Sequence, residues 1–424
     1  PLEIELIIFL TMLGVFLIGN FLFKLPVSLS MIAGAIGGAL VAGEGLPLRH
    51  LFEGTFVYMD TLLIIASAMV FMSVIQESGA LEALNALIVS KFHRVPALML
   101  IFLMLMVMFP GMVTGSSTAA VLSSGALVAP VFLLLGIPKA QTGAIIALGA
   151  IMGMAAPPVN IPAMLIAGGV DMPYIGFEGP LFFLTIPSAI LIVLFIGYRY
   201  ARHINYEEVK QSLNLDIGKQ YGIRIYLPLI ALVVLMVVTR MFPTVVPNLG
   251  MPLIFLICSV IGMFTGKRFN ALAVARESIN TTIPVLGKLM GVGMFIQVMT
   301  LTGVRGYIVI NCLSLGPALL YLAICTVMPA FGAVSSYGAA SVLGVPFLLA
   351  LLSTGNQIVI AATLSFICSL GDLMPPTALA GNYAAKIVEL KYSKVLRYCV
   401  IPFLFCVLFG LAVLLKPDFF RFLV

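Results

Sequence analysis

Long apolar runs separated by short polar breaks set the pattern of this chain. Runs of 16–20 nearly uncharged residues recur from end to end, about the length a helix needs to cross the hydrocarbon core of a bilayer. In the first half they predict spans at residues 4–23, 26–42 and 57–76. Residues 79–92 read differently. Leu81, Leu84, Leu87 and Ile88 follow helical spacing while Glu82, Asn85 and Lys91 are polar, so an amphipathic helix along the membrane plane is expected. Apolar segments at 95–113 and 119–135, then 140–155 and 160–170, flank two uncharged breaks, and 180–198 closes the half. A polar stretch follows at 199–224, with Arg202, Glu207, Glu208, Lys210, Asp216, Lys219 and Arg224. The pattern then repeats: 225–241, 252–266, 281–300, a short segment at 303–313, then 315–334, 339–352, 357–370, 377–386 and 397–415. The expected fold is an all-α polytopic membrane protein built from an inverted-topology repeat. The first repeat covers 1–200, with a hairpin at about 95–135 and a broken helix at 140–170. A cytoplasmic linker covers 201–223. The second repeat covers 224–424, with a hairpin at about 315–352 and a broken helix at 356–386.

The breaks carry the duplication. Thr114-Gly115-Ser116-Ser117-Thr118 lies between two apolar runs, and Ala155-Ala156-Pro157-Pro158-Val159-Asn160 follows it. In the second half Ser335-Ser336-Tyr337-Gly338 takes the first position, and Gly371-Asp372-Leu373-Met374-Pro375-Pro376-Thr377 the second. Forty residues separate Ser117 from Pro157, and thirty-nine separate Ser336 from Pro375. Pro110 and Pro329 stand six residues before Ser116 and Ser335. Ser78-Gly79 also matches Thr302-Gly303, and Pro96-Ala97-Leu98 matches Pro317-Ala318-Leu319. Interrupted helices in matching positions of two halves mark a midplane binding site in transporters.

Composition agrees with a membrane solvent: 62% of the 424 residues are apolar, 9% are charged, and the mean hydropathy is +1.19. Residues 4–23 are flanked by acids at their start and run longer than the apolar core of a signal peptide, so they are expected to remain as a first span. With the amino terminus outside, 16 of the 22 Lys and Arg residues fall on the cytoplasmic side and 5 outside, leaving Lys288 inside a span. That asymmetry satisfies the positive-inside rule and puts both termini on the outer face. The net charge of +6 therefore belongs to cytoplasmic loops rather than to nucleic-acid binding. The six cysteines show no CxxC spacing and read as small buried hydrophobes.

Two geometries fit each Ser-Ser break: a re-entrant hairpin, or two full spans joined by a tight loop. Small uncharged residues favour re-entry, since they let a tip pack closely against other helices at depth. Such a tip presents free N–H groups, carbonyls and hydroxyls, and each Pro-Pro break frees further carbonyls. Hard oxygen ligands suit a small cation and amide N–H groups suit an anion, which together describe a cation-coupled carrier of anions. Asp372 is a carboxylate in an otherwise acid-free apolar stretch, either a functional group or a helix cap. It is expected to share one sodium site with Ser335, Ser336 and carbonyls near Gly371–Met374, and Ser117 is expected to belong to a separate site. Asn160 reads as a ligand or a cap. Lys288, eight residues into its predicted span, is expected to snorkel to the surface. Asp60 is expected at the interface, and His50, His93 and His203 in loops. No HExxH, GxSxG or phosphate-loop motif appears, so no enzyme is expected. A channel is disfavoured by the duplication and by the lack of a filter motif.

Gly115-Ser116-Ser117, Ala156-Pro157-Pro158 and Met374-Pro375-Pro376, in this order and context, resemble the large membrane (M) subunit of TRAP transporters, in the ion transporter superfamily. The resemblance spans nearly the whole chain. It implies an elevator-type, sodium-coupled secondary transporter of a small organic acid in the bacterial inner membrane. It implies three partners besides the lipid bilayer: a soluble periplasmic binding protein, a small four-helix membrane subunit, and the organic-acid substrate. It implies substrate contacts from Gly115, Ser116, Thr118, Asn160, Tyr337, Gly338 and Thr377. Sodium contacts are implied for Thr114, Ser116, Ser117, Ala156, Pro157, Ser335, Ser336, Gly371, Asp372 and Met374. The chain departs from the family at Met374, where threonine is common, and at Ala119-Ala120, where an acid is common. A stand-alone sodium/dicarboxylate-type symporter of the same superfamily is the alternative; its usual Ser-Asn-Thr tips are missing at both positions.

Overall fold

A computed structural model describes residues 3–201, 206–211, 213, 216–242, 244 and 246–424, all helical or irregular with no strand among them. Arg202 and His203 of the linker lie outside the described residues, as does the side chain of Glu208. The first half comprises α1 (Ile4–Phe21), α2 (Val27–Val41), α3 (Leu48–Phe56), α4 (Met59–Glu77), α5 (Ala80–Phe92), α6 (Pro96–Thr114), α7 (Ser117–Ala120), α8 (Ala126–Leu134), α9 (Lys139–Ala155), α10 (Ile161–Gly168) and α11 (Glu178–Ala201). The linker holds α12 (Tyr206–Gln211) and α13 (Asp216–Tyr221). The second half comprises α14 (Leu227–Met241), α15 (Gly250–Thr265), α16 (Ala271–Leu301), α17 (Val304–Ser314), α18 (Pro317–Gly332), α19 (Ser336–Ala339), α20 (Val345–Leu351), α21 (Gln357–Ser369), α22 (Leu379–Ile387) and α23 (Tyr392–Leu415). Nine helical stretches among the described residues are long and apolar enough to cross a membrane.

These helices sort into two packed groups. In one, α1 packs on α2, while α16 packs on α2, α3 and α4, and α15 on α4 and α14. In the other, α6, α9 and α11 pack together, α22 and α23 pack on α9, and α21 packs on α10, α18 and α23. Helices α5 and α17 each touch both groups. Exposure follows this division. Every residue from Thr142 to Ala155 of α9 and from Val359 to Ser369 of α21 is buried. A helix buried on all sides must satisfy its own polar groups. Thr363, Ser365 and Ser369 do so by donating to carbonyls three or four residues back, at 2.7–2.8 Å. By contrast, only 22% of the α1 window and 17% of the window ending in α14 are buried, so these helices turn apolar side chains outward.

The predicted spans form with boundaries shifted by a few residues, and three differences matter. Helix α3 had no counterpart in the expected pattern. Arg49, His50 and Glu53 break its apolar run, yet Arg49 and Glu53 pair at 2.8 Å along one face, so His50 sits in a helix rather than a loop. Helix α5 buries Ala83, Asn85, Ala86 and Val89 together with Leu81 and Ile88, while Leu87 is exposed. It wedges between α4 and α6 rather than presenting its leucine stripe to lipid. Helix α16 starts ten residues before its predicted span because Asn270 caps it, accepting from the Ala273 N–H at 3.1 Å.

Candidate functional site

Both Ser-Ser breaks fold as expected from their chemistry. Helix α6 ends at Gly115, whose φ of +65° is a left-handed value natural to glycine. A Cβ there would also meet Ile161 Cγ1 at 2.6 Å. Ser116 then caps α7, its Oγ accepting from the Ala119 N–H at 3.2 Å. In the second half Ser335 caps α19 in the same way, accepting from the Gly338 N–H at 3.1 Å. After each four-residue helix comes a π-helical segment, Val121–Gly125 in one half and Ala340–Gly344 in the other. π segments widen a helix locally and concentrate at functional sites. Nothing in the apolar periodicity announced them.

Each hairpin's first arm crosses the helix before the Pro-Pro break at a glycine pair. A Cβ on Gly153 would lie 2.3 Å from Met108 O, and one on Gly111 would lie 2.8 Å from Met154 N. In the second half a Cβ on Gly371 would lie 2.5 Å from Gly332 C, and one on Gly332 would lie 2.6 Å from Cys368 O. These backbone-to-backbone contacts hold tip and break together in both halves. Pro157-Pro158 and Pro375-Pro376 are joined by cis peptide bonds.

The two tips meet. The Tyr337 hydroxyl donates to Gly115 O at 3.4 Å, and the Ser117 hydroxyl donates to Asp372 Oδ2 at 2.6 Å. The first tip thus bonds directly to the second break, so Ser117 and Asp372 are one unit and the expectation of separate sites is corrected. The reason is topological: the sequence places them 255 residues apart, but the breaks converge.

A cavity of about 810 Å³ opens beside these tips, between the two helix groups. Of the residues singled out in the sequence, Ser116, Ser117, Thr118, Ser335, Ser336, Tyr337, Asp372 and Thr377 line it. Thr377 donates to Ala333 O, which ties the second break to its own tip. Eight others stand outside its walls. Thr114 donates to Pro110 O at 2.7 Å and Gly115 shapes the turn. Gly338 is buried against Met31 and Phe331, and Gly371 against Gly332. Ala156 and Pro157 are buried at the end of α9, and Met374 follows the 3₁₀ turn that carries Asp372. Asn160 is fully buried and caps α10, accepting from the Ala163 N–H at 2.9 Å and donating to Ala155 O at 2.8 Å and Ser365 Oγ at 3.1 Å. Both amide hydrogens and its oxygen are engaged, so of the two readings it fills the cap.

Asp372 is 6% exposed, and the ion pairs formed among the described residues are all elsewhere. Hydroxyls, carbonyls and this carboxylate form a hard-oxygen environment. No cluster of three or more His, Cys, Asp or Glu side chains that could hold a metal exists among the described residues.

Lys288 departs from expectation. It lies seventeen residues past Ala271 in α16, about 26 Å along the axis, and it lines the cavity. Opening onto the cavity gives its ammonium a route to water there, in place of the expected snorkelling to the membrane surface. The error came from the late predicted start of the helix. The same face of α16 brings Glu277, Ser278 and Thr281 into the cavity. Their spacing of three to four residues was readable, but only against a helix reaching back to residue 271.

The chain resembles the solved YdaH transporter of Alcanivorax borkumensis, described as having an unusual topology, with 16% identity, 87% of each chain covered and a TM-score of 0.60. It also resembles MtrF of Neisseria gonorrhoeae, described as illuminating a class of antimetabolite efflux pumps, with 16% identity, 87% of this chain and 83% of that one covered, and a TM-score of 0.59. At this identity the likeness speaks for the fold. No curated protein sequence matches the chain. Residues 7–417 match the family described as "Tripartite ATP-independent periplasmic transporter, DctM component". Over nearly its whole length, with its paired broken helices around one cavity, this chain belongs to the DctM family, the large membrane component of tripartite ATP-independent periplasmic (TRAP) transporters.

Proposed function

We propose that this chain carries a small organic carboxylate into the cell, driven by sodium, and that its two helix groups move past one another in an elevator-type cycle. Family membership makes it a TRAP-type secondary transporter, working with a small membrane subunit and a substrate-binding protein. The finer reading rests chiefly on one observation: the Ser117–Asp372 hydrogen bond at 2.6 Å, which joins the first tip to the second break beside the cavity. A buried carboxylate without an ion-pair partner is costly, and a bound cation relieves that cost. Ser117, Ser335, Ser336, Asp372 and nearby carbonyls would hold the sodium ion. That ion would supply positive charge that stabilises the ionised carboxylate and the closed tip contact.

Meeting tips support re-entrant hairpins. In an inverted repeat, two full-span pairs would place their loops on opposite membrane faces, about 30 Å apart. Here Tyr337 touches Gly115. The cavity mouth lies toward Asn270 at the start of α16, near Lys267 and Arg268, which the basic asymmetry assigns to the cytoplasm. On that reading the cavity would open to the cytoplasm.

The test is uptake into proteoliposomes holding this chain and its small subunit. Uptake is expected only with an inward sodium gradient and the soluble binding protein. Sodium-independent uptake would overturn the coupling, and full uptake without the binding protein would favour the stand-alone symporter.

A further inference from the structure

Four charged side chains line the central cavity: Glu77, Glu277, Lys288 and Asp372. Lys288 is the one cation among them. Glu77 and Glu277 are exposed at the mouth, whereas Lys288 is partly buried deeper in α16. Its ammonium makes no direct ion pair among the described residues, although the Asp372 carboxylate attracts it across the cavity. Asp372 shares the cavity, and its hydrogen bonds come from the hydroxyls of Ser117 and Ser336. A half-buried ammonium with no carboxylate in direct contact keeps its charge only if water or an anion reaches it. The wall across from α16 offers hydroxyls from Ser116, Ser117, Thr118, Ser335, Ser336 and Thr377, and no second cation.

We propose that Lys288 reads the charge of the transported acid by holding its carboxylate, an assignment that rests on the carrier reading above. The hairpin tips then supply neutral hydroxyl contacts to the rest of the molecule, while selection for an anion resides in α16. One cation matches one carboxylate. A second carboxylate would find no cationic partner on these walls and would face Asp372. The site therefore favours a hydroxyl-bearing monocarboxylate over a dicarboxylate. Because α16 belongs to one helix group and the tips to the other, the acid is gripped from both groups in this state, and its passage requires release from Lys288.

The experiment uses the full chain in lipid nanodiscs, with carboxylate titrated at fixed sodium and sodium titrated separately without carboxylate. Thermal unfolding is followed against a panel of small carboxylates that includes gluconate and succinate. Wild type should be stabilised by monocarboxylates such as gluconate at lower concentration than by succinate. Lys288→Gln should raise that midpoint at least tenfold, and Lys288→Arg should keep it within about threefold. Both variants should melt like wild type without ligand, which separates lost binding from lost folding. A wild type that prefers succinate overturns the single-carboxylate assignment. Equal midpoints for wild type and Lys288→Gln overturn the role of Lys288 and leave the carrier reading standing. A Lys288→Gln change confined to the sodium midpoint makes the lysine a counter-charge to Asp372 and also overturns it. A wild type that answers no carboxylate counts against both readings.

Discussion

The two Pro-Pro breaks share a backbone and differ in chemistry. In the first, Asn160 is neutral, fully buried and saturated, and it ties α10 to Ser365 of the second half. In the second, Asp372 is a carboxylate that faces the cavity and takes its hydrogen bond from Ser117 of the first half. Each half thus completes the other's break. The glycine crossings and serine caps are duplicated, while the charge appears once. A repeat supplies symmetric geometry, and a single acid makes that geometry selective. The neutral break frames the cavity, and the charged break supplies the one carboxylate the proposed cation would use.

The glycine crossings should show the largest effects, and should show them equally in both halves. Gly153→Ala and Gly371→Ala each force a Cβ against backbone atoms that cannot yield, at 2.3 Å and 2.5 Å. A loss of about 3 kcal/mol is expected for each, visible as a lower melting temperature or loss of folded protein in detergent. A tolerated alanine at one crossing only would break the equivalence of the halves.

Asn160→Ala comes next. It removes a cap and leaves buried groups of Ala155 and Ala163 without their partner. The expected cost is about 1–3 kcal/mol of stability, with the sodium midpoint unchanged. A shifted sodium midpoint would make Asn160 part of the cation site and erase the contrast between the breaks.

Smaller, and more telling, is a double-mutant cycle on Ser117→Ala and Asp372→Asn. Residues in direct contact couple by about 0.5–3 kcal/mol, whereas distant pairs add within about 0.5 kcal/mol. The 2.6 Å bond predicts coupling in sodium affinity, and additivity would return these residues to separate sites.

The smallest effect belongs to the Lys139–Glu389 pair, which joins the two halves at an exposed edge at 2.9 Å. The hydrogen bond and charge of Lys139 hold the Glu389 carboxyl below the ordinary value of 4.5. A lowered carboxyl contributes stability above its ordinary value and loses it as pH falls through the lowered one. Glu389→Gln should therefore matter slightly at neutral pH and not at all in strong acid, measured by melting at both. A difference that grows on acidification would contradict the pairing.

Spans and breaks were legible because apolar length and Pro, Gly and Ser placement report directly on a chain in lipid. Gly115, Ser116 and Ser335 stand at the turns and caps their residue types favour. What stayed hidden depends on contacts between distant segments. Ser117 and Asp372 carry no mutual signal across 255 residues. The π segments depend on hydrogen-bond register, which hydrophobic periodicity does not encode. Lys288 was misplaced because the polar start of α16, with Arg276 and Glu277, looked like loop rather than a helix lining a cavity.

The charged break, closed by the opposite tip, is proposed to hold the coupling cation. Sodium titration of uptake by the reconstituted transporter, wild type against Asp372→Asn, tests it most directly. A midpoint raised at least tenfold, about 1.4 kcal/mol, is expected, with folding retained because the amide keeps the carboxylate's shape. An unchanged sodium midpoint in a folded Asp372→Asn transporter would contradict it and leave the cation to backbone oxygens alone.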